Sequence, residues 1–591
     1  MKYTLDRFKK EAASIFRIAG SSSHLSIVRE RLFRRVTRYQ FDLSSLENEP
    51  AVQNTVRVRD SVRALRQILV PKSDKLAGFS VTQVLFDLAH DKARPDLSPG
   101  FYAEMIHLFM GIQGRGPGQA PADFSLRKTK TPRQTAIIRS DELDRLWENV
   151  ESWMDRYAYG MQQNVIDHRK KRKKKILSEL GGSEEDWNDW RWHVKHVAKD
   201  VKLLEKLVPL TNQEKENITQ ARRAKLPFGV TPYYLSLMDA NKRGGDRAIR
   251  AQVFPPANYV KIMTANRGNR ECTFDFMLEH ETSPIDLVTR RYPGIAILKP
   301  YNTCPQICVY CQRNWEIDSA MAPRALATSK KIDEALAWIA EHPAIHEILI
   351  TGGDPFALND RTINGILERV ARIKSIDHIR LGTRTPVTIP MRITDNLVSI
   401  LRRYIRPGRR DISLVTHVEH PYEVTPEMAA AVQRLNVAGI PVYNQQVYTF
   451  YTSRRFETAL LRRVLRKIGV EPYYTFNCKG KNETADYIIP IARLLQEINE
   501  EARLLPGLTR TDEPVFNVPG LGKNYLRAVQ HHDLISVLPD GSRVYEFHPW
   551  EPKAAGQKNY VGVDVPILSY LERLAGIGEN IKDYATIWYY Y

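Results

Sequence analysis

Three cysteines lie within eight residues of one another in the stretch YNTCPQICVYCQRNW. They are Cys304, Cys308 and Cys311, and the chain of 591 residues contains only five cysteines. Thiolates at this spacing could bind zinc or an iron–sulfur cluster. Structural zinc takes four protein ligands, and the two other cysteines, Cys272 and Cys478, are distant in the sequence. Three thiolates on a cluster of four irons would leave one iron open to a small molecule. The spacing therefore favours such a cluster, with zinc as the alternative.

The segments around this loop indicate an α/β fold. Short apolar runs (IAILKP, HEILITGGDP, IRLGTRTP, ISLVTHVEHP, IPVYNQQVY and PYYTFNC) alternate with helical patterns such as KKIDEALAWIAEH. Strand–helix alternation is typical of a parallel sheet. Polar or glycine-rich residues follow each strand, and a barrel gathers the carboxyl ends of its strands on one rim. We therefore expect the cysteine loop and these strand ends to meet there.

The N-terminal region has a different texture. Residues 1 to 180 are predicted to be mostly helical, with a loop rich in Gly, Pro and basic residues near 113 to 134. Seven consecutive basic residues, Arg169 to Lys175, contribute to a net charge of +19. They could bind nucleic acid or form a solvated helix face, and the lack of interleaved aromatic residues favours the second interpretation. Ser183 is predicted to cap a new helix after Gly181 and Gly182.

The composition is that of a soluble globular protein. Hydrophobic residues make up 43% of the chain and charged residues 26%. The length favours two or three domains. The N-terminus contains no apolar signal core, and no window has the apolar length of a membrane span. Few cysteines and an odd number of them argue against a disulfide framework. We expect a cytoplasmic protein that does not bind a membrane.

The cysteine spacing with Tyr310 as the aromatic residue, C-x3-C-x-(aromatic)-C, resembles the radical S-adenosylmethionine (SAM) superfamily. That resemblance implies a [4Fe–4S] cluster on the three cysteines, whose open iron binds SAM. The stretch Gly352-Gly353-Asp354 resembles the superfamily's glycine-rich strand end, and glycines permit close backbone approach. The predicted SAM-binding residues are Tyr310, Gly352, Gly353, Asp354, Arg384, His417 and Gln445.

Further motifs resemble the lysine 2,3-aminomutase family. They include RYPGIAILKPYNTC, LGTRTPVTIPMRIT, THVEHPYEVTPE, AGIPVYNQQV, FNVPGLGKNY and WNDWRWHVKHVAKDVKLLEK, and they cover roughly residues 185 to 560. The resemblance implies an α/β fold, a partial (β/α) barrel of the radical SAM type, with a helical N-terminal extension. The predicted ranges are an extension of unknown role at 1–180, a helical segment at 181–285, the barrel at 286–480 and a C-terminal region at 481–591.

That family uses pyridoxal 5′-phosphate (PLP) beside SAM. A lysine must hold PLP as a Schiff base, and Lys523 in Pro519–Lys523 matches the family's PLP lysine. Arg291 and Tyr292 match its PLP-phosphate positions, where an arginine can grip phosphate bidentately. A second family arginine is Ile295 here, so phosphate binding must differ in detail. An ordinary loop lysine is the alternative for Lys523.

Three positions bear on the substrate. Arg313 matches the family arginine that binds the substrate α-carboxylate. Two aspartates that hold the distal ammonium of lysine are replaced by Lys479 and Asn517, a pair that resembles the glutamate 2,3-aminomutases. A cation facing an ammonium in a poorly solvated pocket would cost several kcal/mol, on the order expected for like charges. We therefore expect conversion of L-glutamate to β-glutamate, with lysine, arginine or a peptidyl lysine as alternatives.

The resemblance also implies an electron donor such as flavodoxin or ferredoxin, and a homo-oligomer is possible. The family's zinc-binding cysteines are missing after Cys478, so no structural zinc is expected. An alternative of another class is a radical enzyme that the basic N-terminal region directs to a nucleic acid or protein. Nucleic acid is the less favoured partner.

Overall fold

The structure is a computed structural model, and it describes residues 3–44, 52–118, 131–239, 245–269, 273–478, 481–549 and 558–591. Its larger sheet has nine strands in the order of the sequence. They are β1 Val288–Tyr292, β2 Ile295–Tyr301, β3 Glu347–Gly352, β4 His378–Gly382, β5 Asp411–Thr416, β6 Val442–Tyr448, β7 Val470–Asn477, β8 Glu513–Val518 and β9 Gly522–Tyr525. β2 to β8 are parallel to one another, and β1 and β9 run antiparallel at the two edges. The predicted parallel sheet is confirmed.

Helices on the outside of this sheet begin at capping side chains. Thr328, Asn359, Thr394 and Thr425 each accept a hydrogen bond from the backbone N–H of the third helical residue, which satisfies one of the free donors of a helix start. The helices after β2 are Ser329–Ala340, Asp360–Ala371, Thr385–Thr388, Asp395–Arg402, Pro426–Val437, Glu457–Lys467, Ile491–Gln496 and Ile567–Gly576. The buried faces of the first six pack with the strands in one core, whereas those of Ile491–Gln496 and Ile567–Gly576 lie in a second core.

The two edge strands approach each other and almost close the sheet into a barrel. The backbone N–H of Lys523 on β9 donates to the Tyr292 hydroxyl on β1 at 3.1 Å. A Cβ atom on Gly522 would lie only 2.7 Å from that hydroxyl oxygen, so glycine is required for this approach. Arg291 Nη1 lies 3.4 Å from the Gly520 carbonyl oxygen. The predicted partial barrel is confirmed.

The region before the barrel is helical, as predicted. Its helices are Leu5–Glu11, Ala13–Ala19, Leu25–Ser44, Val52–Ile68, Pro71–Ala77, Val81–Ala89, Pro99–Ile112, Pro132–Met154, Gln163–Leu180, Glu184–Asn188, Trp190–Lys195, Val201–Leu207, Asn212–Arg223, Pro232–Leu235, Arg247–Ala251 and Ala257–Ala265. Gly181 has a φ of 65° and ends one helix, and Ser183 caps the next with Asp186 in a capping box. The predicted start at Ser183 is confirmed.

The first seven helices share a core with the C-terminal part of the chain. That part adds a three-stranded sheet of β10 His532–Val537, β11 Arg543–Phe547 and β12 Tyr560–Val563. The His107 ring stacks on Trp588 with centroids 4.7 Å apart, and its Nδ1 lies 3.1 Å from the Tyr589 hydroxyl. Buried side chains of residues 8–112 and 448–591 form one cluster. The described residues of 3–44 and 52–118 are therefore packed against the C-terminal part of the chain rather than tethered to it.

Residues 132–180 belong to the barrel core instead. The Tyr157 hydroxyl donates to the Arg455 carbonyl oxygen at 2.6 Å, and Val150, Met154 and Ile176 are buried with the barrel side chains. Arg169, in the basic run, is buried and pairs with Glu427 at 2.9 Å. Helices on both sides of residue 180 therefore contribute to the same core, and the predicted domain ranges stay a prediction.

Replacing Arg543 by methionine should destabilise the interface between the N-terminal helices and the C-terminal part of the chain. The Arg543 guanidinium pairs with Glu104 at 3.0 Å, both side chains are almost fully buried, and the change leaves a buried carboxylate without its cation. The free energy of unfolding should fall by about 3–5 kcal/mol, as measured by chemical denaturation. Lys72→Met is the control, since Lys72 pairs with Glu546 while 65% exposed and should cost at most about 1 kcal/mol. An equal loss of unfolding free energy in both variants would contradict the conclusion that the buried Arg543–Glu104 pair stabilises this interface.

Among the helices that the structure describes, none is long and apolar enough to cross a membrane.

Candidate active site

The cysteine loop follows β2 and is covered on its outer side by protein backbone. Ile307 N–H donates to the Gly229 carbonyl oxygen at 3.0 Å, and Val309 N–H donates to that of Gln252 at 2.9 Å. Burial raises the pKa of the Cys308 thiol to about 11 and that of Cys304 well above its usual range. Buried thiols of this kind stay protonated until a metal centre binds and displaces the protons.

Arg384, at the carboxyl end of β4, contacts this loop directly. Its Nη1 donates to Cys308 Sγ at 2.8 Å and its Nε to the His417 carbonyl oxygen at 3.0 Å. Its Nη2 pairs with Glu423 at 2.8 Å, and the side chain is 10% exposed. Arg384, which follows β4, thus contacts residues that follow β2 and β5, so these three strand ends meet as predicted. Its predicted role in SAM binding stays a prediction.

The glycine-rich end of β3 packs against the cysteine loop. A Cβ atom on Gly353 would lie 2.1 Å from the Thr303 carbonyl oxygen and 2.4 Å from its nitrogen, and Gly352 has a φ of 109°. We expected these glycines to permit a close backbone approach, and the backbone that Gly353 approaches is that of Thr303 in the cysteine loop. Asp354 accepts two hydrogen bonds on each carboxylate oxygen, from Phe356 N–H, Thr383, Arg384 N–H and Thr385. Its carboxylate therefore fixes the β4 loop.

A Gly353→Ala variant should lose the cysteine-loop geometry. The added methyl group overlaps backbone atoms of Thr303, which cannot rotate away, so the loop must shift. We expect iron incorporation to fall at least about tenfold, since one tenfold change needs only about 1.4 kcal/mol. Iron and sulfide analysis of the reconstituted protein measures this.

Gly365→Ala is the matched control for that variant. Gly365 lies in the helix Asp360–Ala371, where a Cβ atom meets nothing within 4 Å. That change should be neutral or should stabilise the helix by roughly 0.5–1 kcal/mol. Full iron loading of Gly353→Ala would show that the contact does not set the loop position.

His417, just after β5, lies beside Gln445 in the middle of β6. His417 Nδ1 lies 2.7 Å from the Gln445 carbonyl oxygen, which can only accept, so Nδ1 carries the proton. Burial and the charge of Arg384 lower the pKa of His417 to about 4. The ring is therefore neutral at pH 7, and its Nε2 is an acceptor.

Lys523 lies in an aromatic cage inside the barrel. Its Nζ is 4.5 Å from the ring centre of Tyr474 and 5.4 Å from that of Tyr292. Burial, with the charge of Arg380, lowers the pKa of Lys523 to about 8. A lowered pKa gives a lysine the neutral amine that carbonyl chemistry needs.

Asn517 lies directly opposite Lys523 in the antiparallel pair of β8 and β9. Residues opposite each other in such a pair project to the same face of the sheet. Two residues predicted for different roles thus share one wall of the barrel. Lys479, predicted beside Asn517, lies outside the described residues.

Arg313 is held by acidic residues that sequence inspection missed. Its Nη1 lies 2.6 Å from Glu279 Oε1, and its Nη2 contacts Glu316. Lys299 Nζ lies 2.7 Å from the same Glu279 oxygen. Burial would raise the pKa of Glu279, but the charges of Arg313 and Lys299 lower it to about 2. Arg313 Nε is buried without a hydrogen-bond partner, so one N–H remains for a ligand.

The comparisons with known proteins cover this site and the N-terminal region. The Radical SAM superfamily model matches residues 298–451. An uncharacterised KamA family protein of Methanocaldococcus jannaschii is 43% identical over 97% of this chain and 95% of its own length. The glutamate 2,3-aminomutase of Clostridioides difficile is 36% identical over 67% of this chain and 88% of its own length. The L-lysine 2,3-aminomutase of Clostridium subterminale is 34% identical over 54% and 72%.

The chain belongs to the lysine 2,3-aminomutase family of radical SAM enzymes. Membership implies a [4Fe–4S] cluster, SAM and PLP as cofactors. The long match to the M. jannaschii protein also shows that the N-terminal helices recur in another member.

The residues of this family member fit those cofactors. Three half-buried thiols on one loop, with an arginine donating to one sulfur, suit a cluster with one open iron. Lys523 offers a buried amine of lowered pKa beside Tyr292. Arg291 lies on β1 next to that cage, although its guanidinium contacts the backbone oxygens of Gly520 and Met277.

A buried glutamate of the site was also missed. Glu419 follows β5 and is 2% exposed, and its Oε2 accepts from Val447 N–H at 2.5 Å, while Oε1 has no hydrogen-bond partner. Burial raises its pKa to about 8. The only sequence signal for Glu419 is its place in the THVEHP strand end.

Proposed function

We propose that this enzyme is a glutamate 2,3-aminomutase that moves the amino group of L-glutamate from C2 to C3. The observation that carries the proposal is the position of Asn517 on the same barrel face as Lys523. An amide at that position can donate to a carboxylate, and an aspartate could not. Lys479 would add a cation to the same side-chain pocket, by the resemblance described above.

The charges around Lys523 and Arg313 favour an acidic substrate side chain. Within the described residues, the carboxylates that face these two side chains are already paired: Glu347 with Arg380, and Glu279 and Glu316 with Arg313 and Lys299. A second ammonium on the substrate would therefore compete for carboxylates that already hold cations. A second carboxylate meets no such competition.

The chain's own residues would divide the work as follows. When bound, the cluster with SAM supplies a hydrogen-abstracting radical, and PLP supplies the carrier of the migrating nitrogen. Cys304, Cys308 and Cys311 hold the cluster, and Lys523 supplies the amine that anchors PLP. Arg313 donates its free Nε–H to the substrate α-carboxylate, and Asn517 donates to the side-chain carboxylate.

The barrel contributes by excluding water and fixing distances. Its edges are joined at Tyr292 and Lys523, which leaves the reacting groups inside a nearly closed wall. Holding reactants at fixed positions can supply about 7–11 kcal/mol of a barrier. A reactive radical also needs this protection, because it attacks any C–H bond that it meets.

The test is a parallel assay of the reconstituted enzyme with L-glutamate, L-lysine and L-arginine under anaerobic conditions. We expect β-glutamate and no β-lysine, measured by mass spectrometry after derivatisation. Asn517→Asp should lower kcat/KM for glutamate at least about a hundredfold, since a buried like-charge contact costs several kcal/mol. β-Lysine as the product would contradict the proposed specificity and leave the family assignment intact.

Delivery of the radical site to a nucleic acid is a weaker proposal. The helices before residue 118 are buried against the C-terminal sheet. In the basic run, Arg169 and Arg172 are buried, and Lys173 pairs with Glu184. These contacts use much of the charge that a nucleic-acid surface would need.

A further inference from the structure

Two short segments, residues 197–198 and 229–230, pack on one side of the cysteine loop and form a layer that we call the cover. Ala198 and Val230 exchange backbone hydrogen bonds at 2.8 and 3.0 Å, and the Gly229 carbonyl oxygen accepts from Ile307 N–H at 3.0 Å. Val197 packs in the small cluster of side chains that contacts Cys304 and Cys311. A Cβ atom on Gly229 would lie 2.4 Å from Ala320 Cβ. Residues 197–198 and 229–230 therefore pack directly on the cysteine loop.

Four cations lie close in the sequence to the segments that form the cover, and we call them the basic patch: Lys199, Arg222, Arg223 and Lys225. Arg222, Arg223 and Lys225 are exposed. They lie at the end of the helix Asn212–Arg223, just before the buried Leu226. The turn is fixed, because Leu226 N–H donates to the Ala221 carbonyl oxygen at 2.9 Å and Lys225 has a φ of 52°.

The cations of the basic patch lack acidic partners. Within the described residues no ion pair joins any member of the patch to a carboxylate, whereas Lys215 of the same helix pairs with Glu205 at 2.7 Å. Arg222, Arg223 and Lys225 lie within four residues of one another, and the charge of Arg222, with burial, lowers the pKa of Lys199. Asp200, next to Lys199 in the sequence, is an exposed acidic residue.

We propose that the basic patch is the docking surface for an acidic one-electron carrier protein that reduces the cluster. Charge complementarity steers such a partner to the patch and raises the association rate. Ala221 and Leu226, on either side of Arg222–Lys225, are buried in one cluster with Val309 of the cysteine loop, so a partner seated on the patch is close to the electron acceptor. The proposal concerns electron entry and is independent of the amino acid substrate.

With a flavodoxin as the carrier, one electron is given up and one is accepted. One electron leaves the flavin hydroquinone, which becomes the semiquinone, and enters the cluster, which changes from the 2+ to the 1+ state. No covalent bond forms or breaks between the two proteins. The association step alone depends on the patch.

The experiment measures cluster reduction by stopped-flow absorbance in cluster-loaded protein, without amino acid substrate. The reductant is a recombinant flavodoxin in its hydroquinone form, at low ionic strength. The triple variant Arg222→Glu, Arg223→Glu, Lys225→Glu should be reduced at least about tenfold more slowly than the wild type at limiting flavodoxin. Added salt should slow the wild type and leave the variant nearly unchanged.

Two controls distinguish a loss of flavodoxin docking from a general loss of protein structure. Reduction by photoreduced 5-deazariboflavin, a small reductant, should be equal in variant and wild type. The matched control is Arg402→Glu, Arg403→Glu, Lys374→Glu, which makes the same charge change, also at a helix end, on the opposite rim where β4 and β5 begin. It should be reduced by flavodoxin at the wild-type rate.

The proposal is overturned if the patch variant reacts with flavodoxin at the wild-type rate, or if the opposite-rim control slows equally. Should the charge-reversed variant react slowly with deazariboflavin as well, the same comparison is made with Arg222→Gln, Arg223→Gln, Lys225→Gln. A selective loss with flavodoxin, smaller than for charge reversal, is then the expected result, and no selective loss overturns the proposal.

Discussion

A Cys308→Ala variant should assemble no stable iron–sulfur cluster and should cleave SAM at less than about one-thousandth of the wild-type rate, a loss of roughly 4 kcal/mol or more. The proposed cluster has three protein ligands, so removing one leaves an iron without its thiolate. It also removes the sulfur to which Arg384 donates at 2.8 Å, which leaves a buried guanidinium N–H facing an apolar methyl group. Iron content, the visible absorbance of the cluster and 5′-deoxyadenosine formation measure the three consequences.

Cys478→Ala is the matched control for this prediction. Cys478 is also buried, at 3% exposure, and lies after β7 in an apolar cluster that includes Val309 of the cysteine loop. Its replacement should leave iron content and SAM cleavage within about twofold of the wild type, since removing one small buried group costs roughly 1 kcal/mol. A cluster that survives in Cys308→Ala, or that is lost in Cys478→Ala, would contradict the proposed ligand set.

Lys523→Ala should abolish covalent capture of PLP and lower aminomutase activity at least about a thousandfold. The neutral amine of Lys523 is the nucleophile, and its pKa of about 8 makes it available near neutral pH. At pH 7 a lysine of pKa 8 is neutral about 300 times more often than one of the usual 10.5. Borohydride trapping followed by peptide mapping should label Lys523 in the wild type and give no adduct there in the variant.

The pH dependence of capture gives an independent measurement on the wild-type enzyme. Because the pKa of Lys523 is lowered, the rate of PLP capture should rise with pH and reach half of its maximum near pH 8. The protonated amine below that pH cannot attack the aldehyde. A half-maximum near 10.5, or trapping at another lysine, would contradict the proposed role.

Much of the candidate site could be predicted because its signals are local. Cys304, Cys308 and Cys311 are adjacent in sequence, and their spacing suffices to suggest a three-thiolate loop. The strand ends were predictable for a related reason, since apolar runs followed by polar residues mark the rim of a parallel sheet. The structure brings Arg384 and His417 to that rim with the cysteine loop.

Other residues of the site could not be found from local pattern. Glu279 is an ordinary acidic residue in sequence, and only the packing of the cysteine loop brings it to Arg313, 34 residues away. Glu419 shows the same limit, because a carboxylate gains its raised pKa from burial that the sequence does not display. Gly353 was predicted to bind SAM, which stays a prediction, and its close neighbour in the structure is the backbone of Thr303.

The sequence by itself determined the cysteine loop, the alternation of strands and helices, the helix start at Ser183 and the family of the enzyme. Periodicity, caps and motif spacing are properties of neighbouring residues, so they need no knowledge of the fold. Only the tertiary structure decided that β9 meets β1, which places Lys523 beside Tyr292, 231 residues away. It also decided that the described residues of 3–44 and 52–118 share a core with the C-terminus. Such contacts depend on how distant apolar faces pack together, and no local pattern contains that information.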